Sequence, residues 1–284
     1  MQTLSIHSGA TALATLKRDG LQASTVDIIP AAAGGPKGLA LHGLDCAIFG
    51  QWLAQAPRPR QLIGASVGAW RMAAAAQADP IAALSRLADF YCEQRYSVKP
   101  SATEVSEFCQ RLVAHLIGGH ESETDEVALS TQNLHAALLA SGSIPLVLNA
   151  VTDIPGAPRG SYWDGGIIDY HLHLPYERTS GLVLYPHFTD HIVPGWLDKF
   201  HPARRAAGVA LEKLILISPS KEFIATLPNR KLPDRSDFKR YGSKRQEERI
   251  RDWRFAVGES QRMGDEFLAI ASSGEIAARA VLFA

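Results

Sequence analysis

Three short glycine-bearing motifs carry the groups in this chain that could do chemistry. Gly64-Ala65-Ser66-Val67-Gly68 sets one serine between two glycines, directly after the apolar pair Leu62-Ile63. That order predicts a nucleophile elbow, with the serine on a sharp strand-to-helix turn. Gly64 and Gly68 lack a Cβ, so neighbouring backbone can approach the turn closely. A serine there also sits at the start of the next helix, whose positive end favours developing negative charge. Ala33-Gly34-Gly35-Pro36-Lys37-Gly38 follows an apolar run and precedes a helical one. Such a loop presents backbone N–H groups to an anion, and Lys37 would add to the positive field. The phosphate-loop spacings G-x-x-x-x-G-K-[ST] and G-x-G-x-x-G are absent. The third motif, Asp164-Gly165-Gly166, could bring a carboxylate beside Ser66, with Gly165 and Gly166 allowing close approach. An acyl-transfer serine enzyme needs an activated hydroxyl, an oxyanion hole and a proton acceptor. Ser66, the loop of Gly34, Gly35, Pro36, Lys37 and Gly38, and Asp164 would fill those three roles.

The identity of the base is open at this level. His171, His173, His187, His191 and His201 all follow Asp164, so the order Ser66, Asp164, histidine of an α/β-hydrolase triad is also available. The pair His171-x-His173, with His187 and His191 nearby, could suggest a metal. It lacks a supporting carboxylate pattern, and no metal site is expected.

These motifs need elements to hold them. Residues 26–33 are short, apolar and uncharged after Asp27, which predicts a buried strand. Residues 39–55 space Leu41, Leu44, Ile48 and Trp52 as a helix does, and Arg58-Pro59-Arg60 breaks it. Residues 61–65 read as a second strand and 67–78 as an alanine-rich helix. Strand, glycine loop, helix, strand, elbow and helix imply right-handed crossovers and a parallel sheet, hence an α/β fold. Helices are expected over 80–96, 103–117 and 131–140, a polar loop over 118–125, and strands over 146–151, 182–185 and 214–217. Residues 244–271 predict one long helix. No repeat or boundary is visible, so a single domain over 1–284 is expected, with the motifs within about 25–185.

A chain of 284 residues is long enough for a core that needs no disulfides. Lys+Arg and Asp+Glu both total 29, so no overall charge points to nucleic acid. Cys46, Cys92 and Cys109 are odd in number and lack metal-ligand spacing, which suits reduced thiols in a cytoplasmic protein. No signal peptide is apparent. The apolar run 134–151 is interrupted by Ser141-Gly142-Ser143 and Pro145, so it is a poor membrane span. A lipid substrate would be met at a surface, through peripheral contact. Two stretches suit that: Trp196, Leu197 and Phe200 beside Lys199, and residues 230–254, with ten Lys/Arg against five Asp/Glu. Each also has a plainer reading, as a loop anchor and as a solvated helix face.

The three motifs, in this order, resemble the patatin-like phospholipase family. That family carries G-G-G-x-[RK]-G, then G-x-S-x-G, then D-G-[GA]. The segment Ser141-Gly142-Ser143-Ile144-Pro145 is similar to the family's A-S-x-x-x-P block. The resemblance spans about residues 25–185. It implies a three-layer α/β/α sandwich with a mostly parallel central sheet, and hydrolysis of lipid acyl esters through an acyl-enzyme without a cofactor. It assigns Ser66 as nucleophile, Asp164 as base, and N–H groups of the Gly34–Gly38 loop as oxyanion donors. A carboxylate can serve as base in a dry site, where burial raises its pKa. Ala33 stands where the family has its first glycine, and Lys37 where arginine is commoner. Two other readings stay open: a Ser-His-Asp esterase or thioesterase, and a non-catalytic lipid- or protein-binding relative.

Overall fold

The apolar runs expected to be buried strands form the middle of the sheet. The computed structural model describes residues 1–117 and 130–283. In chain order the elements begin with β1 (Leu4–Ser8), α1 (Ala10–Asp19), β2 (Val26–Ala31), α2 (His42–Ala47), β3 (Gln61–Gly64) and α3 (Val67–Ala75). They continue with α4 (Pro80–Cys92), α5 (Ala102–Ile117), α6 (Leu134–Gly142), β4 (Val151–Thr152), β5 (Ser161–Tyr162), β6 (Leu182–Pro186) and β7 (Leu214–Pro219). The chain ends through α7 (Lys221–Thr226), α8 (Ser236–Tyr241), α9 (Gln246–Glu259), α10 (Gln261–Ser273), α11 (Ile276–Arg279) and β8 (Ala280–Leu282).

Six strands form one mixed sheet in the order β3-β2-β6-β7-β1-β8. All neighbours are parallel except β1 and β7. β6 and β7 are buried at every position, so both faces of the sheet are covered. The architecture is α/β with a mostly parallel sheet, compatible with a three-layer sandwich. Pro30 lies in β2 beside Ile63 of β3, while pairing with β6 runs only through Val26 and Ile28. A proline has no N–H to continue that ladder. One core gathers around the sheet, including Ile29, Tyr185, Ile215 and Phe267; a second lies among α3, α4, α5 and α9, including Leu84, Leu112 and Trp253.

The structure corrects several expectations. The helix expected over 39–55 starts earlier: tight 3-10 turns over Gly35–Leu41 lead into α2, then a wider π stretch over Ile48–Trp52. The strand expected over 146–151 is a turn at Leu146, which has φ 68° and is fully exposed, followed by the two-residue β4. The single helix expected over 244–271 is two, α9 and α10, parted at Ser260. Ser260 Oγ accepts from Gly43 N–H at 2.8 Å and donates to Val257 C=O at 2.5 Å. A Cβ on Gly43 would come within 2.4 Å of Ser260 backbone, so α2 is packed directly against the joint, two residues after Gly258. β1, α1 and β8 add to the expected elements. The polar loop expected over 118–125 lies outside the described residues.

Candidate active site

Ser66 sits between β3 and α3 with φ 55° and ψ −128°. A non-glycine residue held there is strained by about 1–3 kcal/mol, so its surroundings must impose it. Both flanking glycines are required by contact. A Cβ on Gly64 would meet Ala69 Cα at 2.4 Å, and one on Gly68 would meet Ala31 O at 1.9 Å. The turn is therefore pressed against the end of β2. The Ser66 N–H donates to Ser141 Oγ at 2.9 Å, which ties the turn to the end of α6.

The Ser66 hydroxyl donates to Asp164 Oδ2 at 2.8 Å, and both residues are buried. Asp164 is itself held from two sides. Its Oδ1 accepts from Gly166 N–H at 2.8 Å, and its N–H donates to Ser143 C=O at 2.9 Å. Gly166 has no room for a side chain, since a Cβ would stand 2.4 Å from Ala33 Cβ. Gly165 is under no such constraint; a Cβ there would meet Ala65 Cβ at 4.0 Å. Burial pushes the Asp164 carboxyl above the usual carboxylate range, opposed by the bonds from Ser66 and Gly166 and by the charge of Arg235.

The glycine loop lies beside this pair. A Cβ on Gly34 would strike the Phe188 ring at 2.4 Å. Gly35, at φ 55°, lines the same cavity as Ser66 and Val67. The N–H groups of Gly35 and Val67 have no acceptor among the described residues. Pro36 has no N–H, so of the five loop residues it cannot be an oxyanion donor. Lys37 N–H donates to Gly34 C=O at 3.4 Å, while its ammonium stands 4.8 Å from the centre of the Phe188 ring. Burial lowers the Lys37 pKa. Gly38 packs on Arg71 Cδ and the Val67 methyls. Arg71 of α3 makes a buried two-pronged pair with Asp45 of α2, both bonds 2.7 Å.

None of the five late histidines bonds Ser66 or Asp164. His171 Nδ1 accepts from Val193 N–H at 3.0 Å, His187 Nδ1 accepts from Thr189 N–H at 2.9 Å, and His191 Nδ1 stands 2.7 Å from Asp190. His173 and His201 are engaged through backbone N–H, to Asp169 Oδ1 and to Asp198 C=O. Burial drives His171 well below its ordinary pKa and lowers His187 to about 3. Among the described residues no group of three or more His, Cys, Asp or Glu could hold a metal ion. Cys46, Cys92 and Cys109 are buried and unbridged, and burial pushes each thiol up to about 12.

Ser66 opens into a cavity of about 340 Å³ whose walls include Trp70, Phe108, Leu112, Leu148 and Phe238. Two features of the site carry no signal in the motifs' own residues. Ser141 and Ser143 hold the two halves of the pair; only the resemblance of the 141–145 block drew attention to them. Arg235 reaches the cavity from the cationic C-terminal stretch, with its Nε 3.1 Å from where a Gly35 Cβ would be. No protein-family model matches the chain, and neither does any curated protein. Among the described residues, no helix is long and apolar enough to cross a membrane.

Proposed function

We propose that this protein is a serine acyl hydrolase of patatin-like type, acting on lipid acyl esters through a Ser66–Asp164 dyad. The observation that carries the reading is the 2.8 Å bond from Ser66 Oγ to a buried carboxylate, at a strained turn facing an apolar cavity. In the first step Ser66 Oγ attacks the ester carbonyl carbon, and its proton passes to Asp164 Oδ2. The oxyanion is met by the unpartnered N–H groups of Gly35 and Val67, at the start of α3. Asp164 then returns the proton to the leaving alkoxide as the C–O bond breaks, which leaves an acyl-serine. A water gives its proton to Asp164 and its oxygen to the acyl carbon, and the free acid leaves as Ser66 recovers its proton. No step requires a cofactor. The aliphatic and aromatic cavity walls would take the acyl chain.

The same reading places the molecule at a lipid surface. Ile168, Leu197 and Phe200 are largely exposed, and Trp196 partly so. The segment Gly165–Ile167 packs beside Trp196–Phe200, so this apolar rim borders the Asp164 loop. Lys199 Nζ stands 4.0 Å from the Trp196 ring centre, a pairing suited to a headgroup layer.

The test is hydrolysis of short and medium-chain nitrophenyl esters. Ser66→Ala and Asp164→Asn are expected to lose activity by roughly 10³-fold or more, while single alanine variants of the five late histidines keep most of it. A histidine as necessary as Ser66 would replace the dyad with a triad. Inactivity of the wild type on every ester, with no labelling by a serine-directed phosphonate, would favour a binding protein.

A further inference from the structure

Two arginines line the cavity and neither has a use in the dyad mechanism: Arg249 is buried, donates to Gln94 C=O and lies over the Phe238 and Trp253 rings, whereas Arg235 is exposed at the mouth. It stands at the N-terminal border of α8, is exposed, and lines the cavity shared by Gly35 and Ser66. Among the described residues its guanidinium has no hydrogen bond and no ion pair, while its C=O accepts from Phe238 N–H. The neighbouring acids are engaged elsewhere: Asp234 and Asp237 bind Lys231 at 3.0 and 2.8 Å, and Asp198 binds Arg204 at 3.0 Å. Two further cations stand within electrostatic reach of Arg235, and neither has a carboxylate partner among the described residues: Lys37, stacked on Phe188, and Lys199, stacked on Trp196. In a chain of zero formal net charge, the charges acting on Lys37 in the glycine loop are Lys199, Arg235 and Lys231 against the single acid Asp234. A mouth with an excess of one sign attracts a ligand of the other.

Resting on the hydrolase reading above, we propose that Arg235 is a specificity residue that binds a phosphate or carboxylate carried by the ester's leaving group, so that the preferred substrates are anionic acyl esters. The placement decides which end of the ester bears the charge. Arg235 lies against Gly35, at the serine end of the cavity, whereas Phe108 and Leu112 of α5 continue the apolar wall for the chain. An anion on the chain's far end would face those apolar walls, and the arginine buried among them, Arg249, already engages its guanidinium with Gln94 C=O and with the Phe238 and Trp253 rings. An unengaged guanidinium offers a planar fork of donors that suits phosphate or carboxylate oxygens better than an ammonium does.

The experiment has a binding arm and a turnover arm. Binding of octyl phosphate, octan-1-ol and inorganic phosphate to Ser66→Ala protein is measured by calorimetry. Turnover by wild-type protein is compared on a nitrophenyl ester and on the same ester bearing a ring carboxylate. Octyl phosphate is expected to bind about tenfold more tightly than octan-1-ol, and kcat/KM to favour the carboxylated ester by a similar factor. Arg235→Ala is expected to remove most of both preferences, Arg235→Lys to keep part, and Arg251→Ala, a cation on the outer side of α9, to change neither ratio. Preferences that survive Arg235→Ala, or equal binding of the phosphate and the alcohol, would overturn the proposal. Inorganic phosphate binding as tightly as octyl phosphate would also overturn it, since the anion would then be a free ligand rather than part of the ester. The binding arm does not need a working nucleophile. Lack of turnover therefore counts against the dyad, and the calorimetry still decides Arg235.

Discussion

At the scale of single residues, Asp164 is asked to be both buried and charged. Its folded-state pKa is raised, so its contribution to stability is present below the unfolded-state pKa and is lost as pH rises through the folded one. At neutral pH its charge therefore opposes folding. Asp164→Asn is expected to unfold at a higher denaturant midpoint than wild type at pH 7 while losing hydrolysis, and the gain is expected to vanish in acid. The acid limb of kcat/KM on a soluble ester should lie above the ordinary carboxylate value of about 3.9. A limb at that value, with unchanged stability of the variant, would remove burial from the account. Ser66 and Asp164 were legible because each sits in a motif holding glycines, Gly64, Gly68 and Gly166, that close contacts demand. Ser141 and Arg235 were not, since a hydroxyl and a guanidinium carry no mark of the distant backbone they approach.

At the scale of elements, the elbow is only as firm as the seat of α3. That helix is pinned to α2 by the buried Arg71–Asp45 pair, and Arg71 also backs Gly38 of the glycine loop. Asp45→Ala leaves a buried arginine without its partner, which is expected to cost about 3–5 kcal/mol in urea unfolding. A loss below 1 kcal/mol would show that solvent reaches Arg71. The central strands could be read from the sequence because runs free of charge belong to strands buried on both faces. The same reasoning failed at 146–151, where an equally apolar run turns outward at Leu146. It failed again at Ser260, where the helix divides just after Gly258 and the joint packs against Gly43 of α2.

At the scale of the whole molecule, the glycine loop and the elbow follow the carboxyl ends of β2 and β3, where open α/β sheets place ligands. The apolar rim of Ile168, Trp196, Leu197 and Phe200 lies on the Asp164 side of this site. Trp196→Ser combined with Phe200→Ser is expected to reduce co-sedimentation with anionic vesicles several-fold while leaving turnover of a soluble ester near wild type. Undiminished sedimentation would assign these side chains to another use. The sheet's one antiparallel pair bears on a different matter, the order in which the protein comes off the ribosome. Leu4 of β1 faces Pro219, and Ile6 faces Ala280 on its other side. At translation speeds of 5–20 residues per second, β1 waits about 10–40 s for its first partner. The strands that flank Ser66 and Asp164 pair among themselves in the meantime. The nascent chain can thus assemble its chemistry before its first strand has anywhere to go, and that strand is the segment a chaperone would have most time to meet.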